Sequence, residues 1–150
     1  MKTRGIALAL PTLFLLAGSS RAADDDAIKK EKDKLQGVWR IESMVIFGEK
    51  NDFKSLEKGR LTITGDKFVL KDGDKIDAEG TFKIVMVKGK MRHTDLMAAD
   101  GKTSMQNIAE WIDADTFRTC MGGDDTRPND FSSTKQNNQI LMVFKREKKK

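Results

Sequence analysis

From Gly37 to Arg146 apolar residues recur at every second position, in runs that stop at short turns rich in Gly and Asp. Side chains on a strand point alternately to its two faces, so such a run can bury one face and leave the other in water. The clearest case is Ile76, Ala78, Gly80, Phe82, Ile84 and Met86, which alternate with Asp77, Glu79, Thr81 and Lys83. An earlier run places Trp39, Ile41, Ser43, Val45 and Phe47 in one phase and Val38, Arg40, Glu42 and Met44 in the other. Between runs stand "TGD", "KDGDK", "VKGK" and "DAD", the chemistry of tight hairpins. About eight strands joined by local turns predict an all-β, up-and-down antiparallel barrel, lipocalin-like in plan. No helical pattern follows the first strand, which excludes an α/β architecture.

Ahead of the barrel the chain carries the three parts of a secretory signal peptide. Lys2 and Arg4 precede an apolar run from Gly5 to Gly18, and Ser20 and Ala22 offer the small residues a signal peptidase reads. A membrane anchor needs about 20 apolar residues, and Pro11 interrupts this shorter run. Residues 1–22 are therefore expected to be removed, with the mature chain starting at Ala23 in a periplasmic or extracellular compartment. Residues 23–34 form a charged linker or short helix, 35–147 the barrel domain, and 148–150 a basic tail. The loop holding Phe53 and Leu56, from Phe47 to Gly59, is expected to fold back as a lid or a helical turn.

Charge and cysteine content narrow the function classes. The formal charge of +5 falls to about +2 once Lys2, Arg4 and Arg21 depart, and the tail from Lys145 to Lys150 holds the rest of the excess. A nucleic-acid binder needs a basic folded face with interleaved aromatics; the body here is slightly acidic, so no nucleic-acid partner is expected. With Cys120 as the single cysteine, no internal disulfide exists, and stability must come from a packed core. Cys120 reads as a buried, inert thiol.

Gly37 and Trp39 suggest how one barrel end closes. An indole needs an apolar wall and a partner for its N–H, and a glycine two residues earlier allows another backbone to pass close. A glycine-x-tryptophan at the head of the first of about eight sequential strands resembles the calycin superfamily, to which lipocalins belong. That resemblance implies an arginine from the last strand packed over the indole. Arg146, in phase with Ile140, Met142 and Phe144, is the matching residue; Lys145 and a solvated Arg146 are the alternatives. A closer resemblance spans nearly all of Leu35 to Glu147. "LQGVWRIES", "GRLTITGDKFVLKDG", "GTFKI", "DADTFRTC", "RPNDF" and "LMVFKRE" are similar to a lipocalin-like domain of uncharacterised exported proteins from planctomycete bacteria. The resemblance implies a fold and an export route, and neither an activity nor a ligand. The chain departs from that pattern at Thr119, where an apolar residue is usual, and in the polar "MRHTDLM".

The chemistry-bearing residues are sparse. His93 and Asp95 share a strand face, but side chains two apart on a strand stand roughly 7 Å apart at the backbone, and no nucleophile motif accompanies them. They read as an incidental polar pair, and no enzyme activity is expected. Asp72, Asp74 and Asp77, and Asp124, Asp125 and Asp130, lack the spacing of a calcium loop and suit turn chemistry. Neither a metal nor another cofactor is expected. The leading expectation is a non-catalytic exported barrel holding a small apolar ligand at the end opposite Trp39. Its wall would comprise Phe47, Phe68, Phe82, Ile84 and Phe117, under the lid of Phe53 and Leu56. The alternative is a barrel filled by its own side chains, serving as an envelope or extracellular protein-interaction module. No stable membrane insertion of the mature chain is expected on either reading.

Overall fold

The structure is a computed structural model that describes residues 19–123 and 126–148. The expected signal segment up to residue 18 therefore lies outside the described residues. A helix, α1 (Ser19–Leu35), runs directly into β1 (Gly37–Ile46). Then follow β2 (Glu49–Lys50), the single turn α2 (Phe53–Leu56), β3 (Gly59–Thr64), β4 (Lys67–Asp72), β5 (Lys75–Lys88), β6 (Met91–Ala98), β7 (Ser104–Asp113), β8 (Thr116–Met121) and β9 (Ile140–Arg146). The last four residues of the expected signal peptide are thus helical and continuous with α1. Among the described residues no helix is long and apolar enough to cross a membrane.

All neighbouring strands pair antiparallel in chain order from β3 to β9, and β9 returns to pair with β1 from Trp39↔Arg146 to Ile46↔Ile140. That last ladder closes an eight-stranded barrel, with β2 as a short extra strand on β1. Closure removes the free sheet edges that would otherwise invite pairing with other chains. The core inside comprises Trp39, Phe82, Ile84, Phe117, Met142 and Phe144, with Leu35 rising from α1.

Bulges correct the phase read from the sequence. One extra residue on a strand reverses which face every later side chain occupies. In β1 the register shifts between Ile41 and Ser43, so Met44, and not Ser43, packs against the core. Phe47 consequently leaves the inward phase; it sits in the β1–β2 turn at φ 51° and is 45% exposed. In β5 two shifts set Asp77 and Val85 aside, which leaves Ile76 and Val85 exposed and brings Val87 against the core. Between those shifts β5 exchanges its partner β4 for β6. Gly80 stands at the crossing, where a Cβ would lie 1.9 Å from the Met97 carbonyl oxygen. Only glycine lets the two backbones come so near.

Residues 126–139, between β8 and β9, form a folded cover. It lies on the outer face of β6 to β8: Arg118 stacks on Phe131 with its Cζ 4.1 Å from the ring centroid. Arg127 donates to the carbonyls of Thr94 and Asn107 and to the Asp95 carboxylate. This cover explains why Ile108 and Cys120 are buried although their phase points away from the barrel interior.

Candidate functional site

The base of the barrel is built around the C-terminus of α1. The last carbonyls of a helix lack partners within it and must be satisfied from outside. Here the barrel supplies the donors. Trp39 Nε1 donates to Leu35 O at 2.9 Å, and Arg146 donates from Nη2 to Lys34 O at 2.6 Å and from Nη1 to Gln36 O at 2.9 Å. Gln36 Nε2 donates to Lys32 O, and its side-chain amide also exchanges hydrogen bonds with the backbone of Gly65. The guanidinium lies over the indole with Cζ 4.1 Å from the Trp39 ring, a cation on a π face placed at the negative end of the helix dipole. Gly37 joins these parts at φ 120°, with Arg146 Nη1 3.4 Å from where a Cβ would stand. Trp39, Phe117 and Phe144 continue the floor as packed rings, with Trp39 and Phe117 centroids 4.8 Å apart in edge-to-face contact.

Above this floor lies a charge pair that the sequence reading missed. Arg92, 2% exposed, points into the barrel from β6 and sits 4.8 Å over the Phe117 ring and 5.0 Å over that of Trp111. Glu31, 5% exposed, enters from α1, one helical turn before Leu35. Its carboxylate accepts from Trp111 Nε1 at 2.8 and 3.0 Å and lies 3.5 Å from Arg92 Nη1, an ion pair without a hydrogen bond. Burial pushes the Arg92 guanidinium down to about 10, against the opposing pull of Glu31, which leaves it cationic at neutral pH. The available signal was positional: Arg92 shares the inward phase with Thr94 and Leu96, and Glu31 shares a helix face with Ile28 and Leu35.

A cavity of about 140 Å³ occupies the interior. Every barrel strand except β1 contributes to its wall, and Leu35 enters from below. Phe68, Phe82 and Phe117 line it. Four polar residues, Arg92, Thr94, Asn107 and Thr119, interrupt an otherwise apolar lining. Thr119 Oγ1 is engaged, donating to Ile108 O at 3.3 Å. Met105 and Met121, near the first residue of β7 and at the last of β8, complete the lining.

Three expected wall or lid residues stand elsewhere. Phe47 is on the surface for the reason given above. Ile84 is buried in the core but outside the cavity wall, and Leu56 is buried against β1, on the side that the cavity does not touch. Phe53 belongs to α2, as a helical turn in the expected place; its side chain lies outside the described residues. The cavity accordingly reaches down to Leu35 and Phe117 and is not a pocket under the α2 loop. β1 leaves the lining because Trp39, Ile41 and Leu56 fill that sector with packed side chains.

The remaining titratable groups face outward. His93 is held below its ordinary value first by burial and then by the Arg127 charge, against a smaller opposing effect of Asp95. Asp95 pairs with Arg127 and so helps pin the β8–β9 cover. The Cys120 thiol is fully covered, 3.3 Å from Ser132 O and 3.4 Å from Gln139 Oε1, and burial pushes it up to about 11. Asp77 pairs with Lys75, Asp124 and Asp125 lie outside the described residues, and among the described residues no three His, Cys, Asp or Glu side chains converge. No protein-family model, no curated protein and no solved structure matches this chain.

Proposed function

We propose that the protein is an exported, non-catalytic barrel that carries one small, mainly apolar ligand in its interior. The observation behind this reading is the apolar cavity of about 140 Å³ within a closed wall. Small-molecule sites are concave and mostly apolar, with a few polar groups that fix orientation. A dry cavity of about 150 Å³ takes up a molecule the size of benzene, so the cargo is ring-sized and much smaller than a long-chain lipid. The export half of the proposal rests on the basic start, the apolar run and the small residues at Ser20 and Ala22.

Toluene tests the carrier reading. A ligand that binds only the folded state at about 100 times its Kd stabilises by roughly 2.7 kcal/mol. Saturating toluene should therefore raise the thermal midpoint by several degrees. Ala109→Leu, which adds bulk to a wall residue that is 2% exposed, should remove that rise while circular dichroism stays native. A folded wild-type protein that toluene leaves unchanged would favour the filled barrel acting as a protein-interaction module.

A further inference from the structure

Among the described residues, two buried side-chain polar atoms make no hydrogen bond, Arg92 Nη1 and Asn107 Oδ1. They are not equivalent. The Arg92 guanidinium is turned toward the Trp111 and Phe117 rings, and it has its counter-charge in Glu31, 3.5 Å from that same Nη1. Asn107 Oδ1 has neither a charge partner nor a ring against it. The residue is 6% exposed and stands on β7 between Met105 and Ala109, the inward row that with it lines the cavity.

The fold does not account for an amide at this position. What Asn107 gives to the barrel it gives from its backbone, which pairs with Thr94 and Met121 and whose carbonyl accepts from Arg127 Nη1 at 2.6 Å. The side-chain oxygen holds no strand, turn or cover in place. A leucine has nearly the same shape and would leave no buried acceptor unpaired, which is the costlier arrangement. Buried polar groups in native proteins have partners, and the space beside this one is the cavity.

An amide oxygen only accepts, so the partner must donate. A charged partner is disfavoured, because Arg92 and Glu31 already balance each other and a further buried charge would have no counter-ion. We infer that Asn107 is a specificity residue of the cavity, which takes a neutral, ring-sized molecule whose N–H or O–H donates to Asn107 Oδ1. This rests on the carrier reading and specifies its ligand as a hydrogen-bond donor of the pyrrole, aniline or phenol kind. Arg92 has no part in the contact, and Thr119 has none because its hydroxyl is committed to Ile108 O.

Pyrrole and furan are nearly isosteric rings, of which only pyrrole carries a donor. Calorimetric titration of the purified protein at pH 7 with pyrrole, furan and toluene should show pyrrole binding saturably and more tightly than furan. Asn107→Leu should shift that preference about tenfold toward furan, while Thr119→Val leaves it unchanged. Furan binding as tightly as pyrrole, an unchanged preference in Asn107→Leu, or an equal shift in Thr119→Val would overturn the inference and leave a trapped water as the partner of Asn107. If Asn107→Leu does not fold, the comparison of pyrrole with furan on the wild-type protein decides alone. Failure of pyrrole, furan and toluene alike to bind the folded protein would instead remove the carrier reading on which the inference stands.

Discussion

Trp39 carries more of the architecture than any other residue in the chain. It is fully buried, donates to the last helical carbonyl at Leu35, lies beneath Arg146 and meets Phe117 edge to face. Trp39→Ala should cost about 3–5 kcal/mol, the range for removing a large buried aromatic. Arg146→Ala should cost less, about 1–2 kcal/mol, because its guanidinium is partly solvated. Urea denaturation measures both, and Arg146→Ala should also shift the tryptophan emission. A denaturation midpoint unchanged in Trp39→Ala would remove the indole from the role of floor. This end of the barrel was legible in sequence, because glycine-x-tryptophan at the head of the first strand carries a resemblance that implied an in-phase arginine from the last strand. Arg92 and Glu31 were not. Each occurs in a stretch crowded with charge, "MRHTDLM" and "ADDDAIKKEKDK", where the usual fate of a charged side chain is solvation.

At the scale of elements, α1 is part of the barrel and not a tether before it. Ile28, Glu31 and Leu35 share the face turned toward the strands, and the barrel's own side chains satisfy the helix end. The Glu31–Arg92 pair should behave as buried pairs do. Glu31→Met alone leaves a cation with no counter-charge and should cost about 3–5 kcal/mol. Adding Arg92→Met to Glu31→Met should restore a substantial part of that loss. A double-mutant cycle by chemical denaturation reads the coupling, and strictly additive losses would mean that the two charges do not sense each other. Strand existence and order followed from alternation and turn chemistry, whereas strand phase did not. The residues set aside at Glu42, Asp77 and Val85 look like ordinary members of their runs. A bulge is decided by how neighbouring strands bend around the closed wall, and that information is not local.

For the molecule as a whole, the barrel was readable because nearly every connection is short and joins sequence neighbours. The cover between β8 and β9 escaped that reading because its polar composition resembles a linker; its fold depends on contacts with Cys120, Arg118 and Asp95 that sequence does not place together. Alternation left open whether the barrel is hollow or filled; Phe68, Phe82 and Phe117 stand on the cavity wall. Its polar side was not anticipated, because Arg92, Thr94, Asn107 and Thr119 look like ordinary members of their strands until the register turns them inward. The intact mass of protein recovered from the periplasm or medium of an expressing bacterium should correspond to a chain beginning at Ala23. A recovered chain that retains Met1 would overturn the export assignment. Cleavage there would shorten α1 by its first turn and leave Ile28, Glu31 and Leu35 in the mature protein.

The docking of Arg146 on carbonyls 110 and 112 residues earlier has a consequence for the order of assembly. β3 can join β1 while later strands are still being made, but the other edge of β1 waits for β9. Until then the N-terminal helix has no guanidinium at its end and no closed rim to rest on. Contacts of such long sequence separation form late and slow the final step of folding. The C-terminal end of the helix therefore receives its last two hydrogen bonds only when β9, the final strand to be made, has closed the wall.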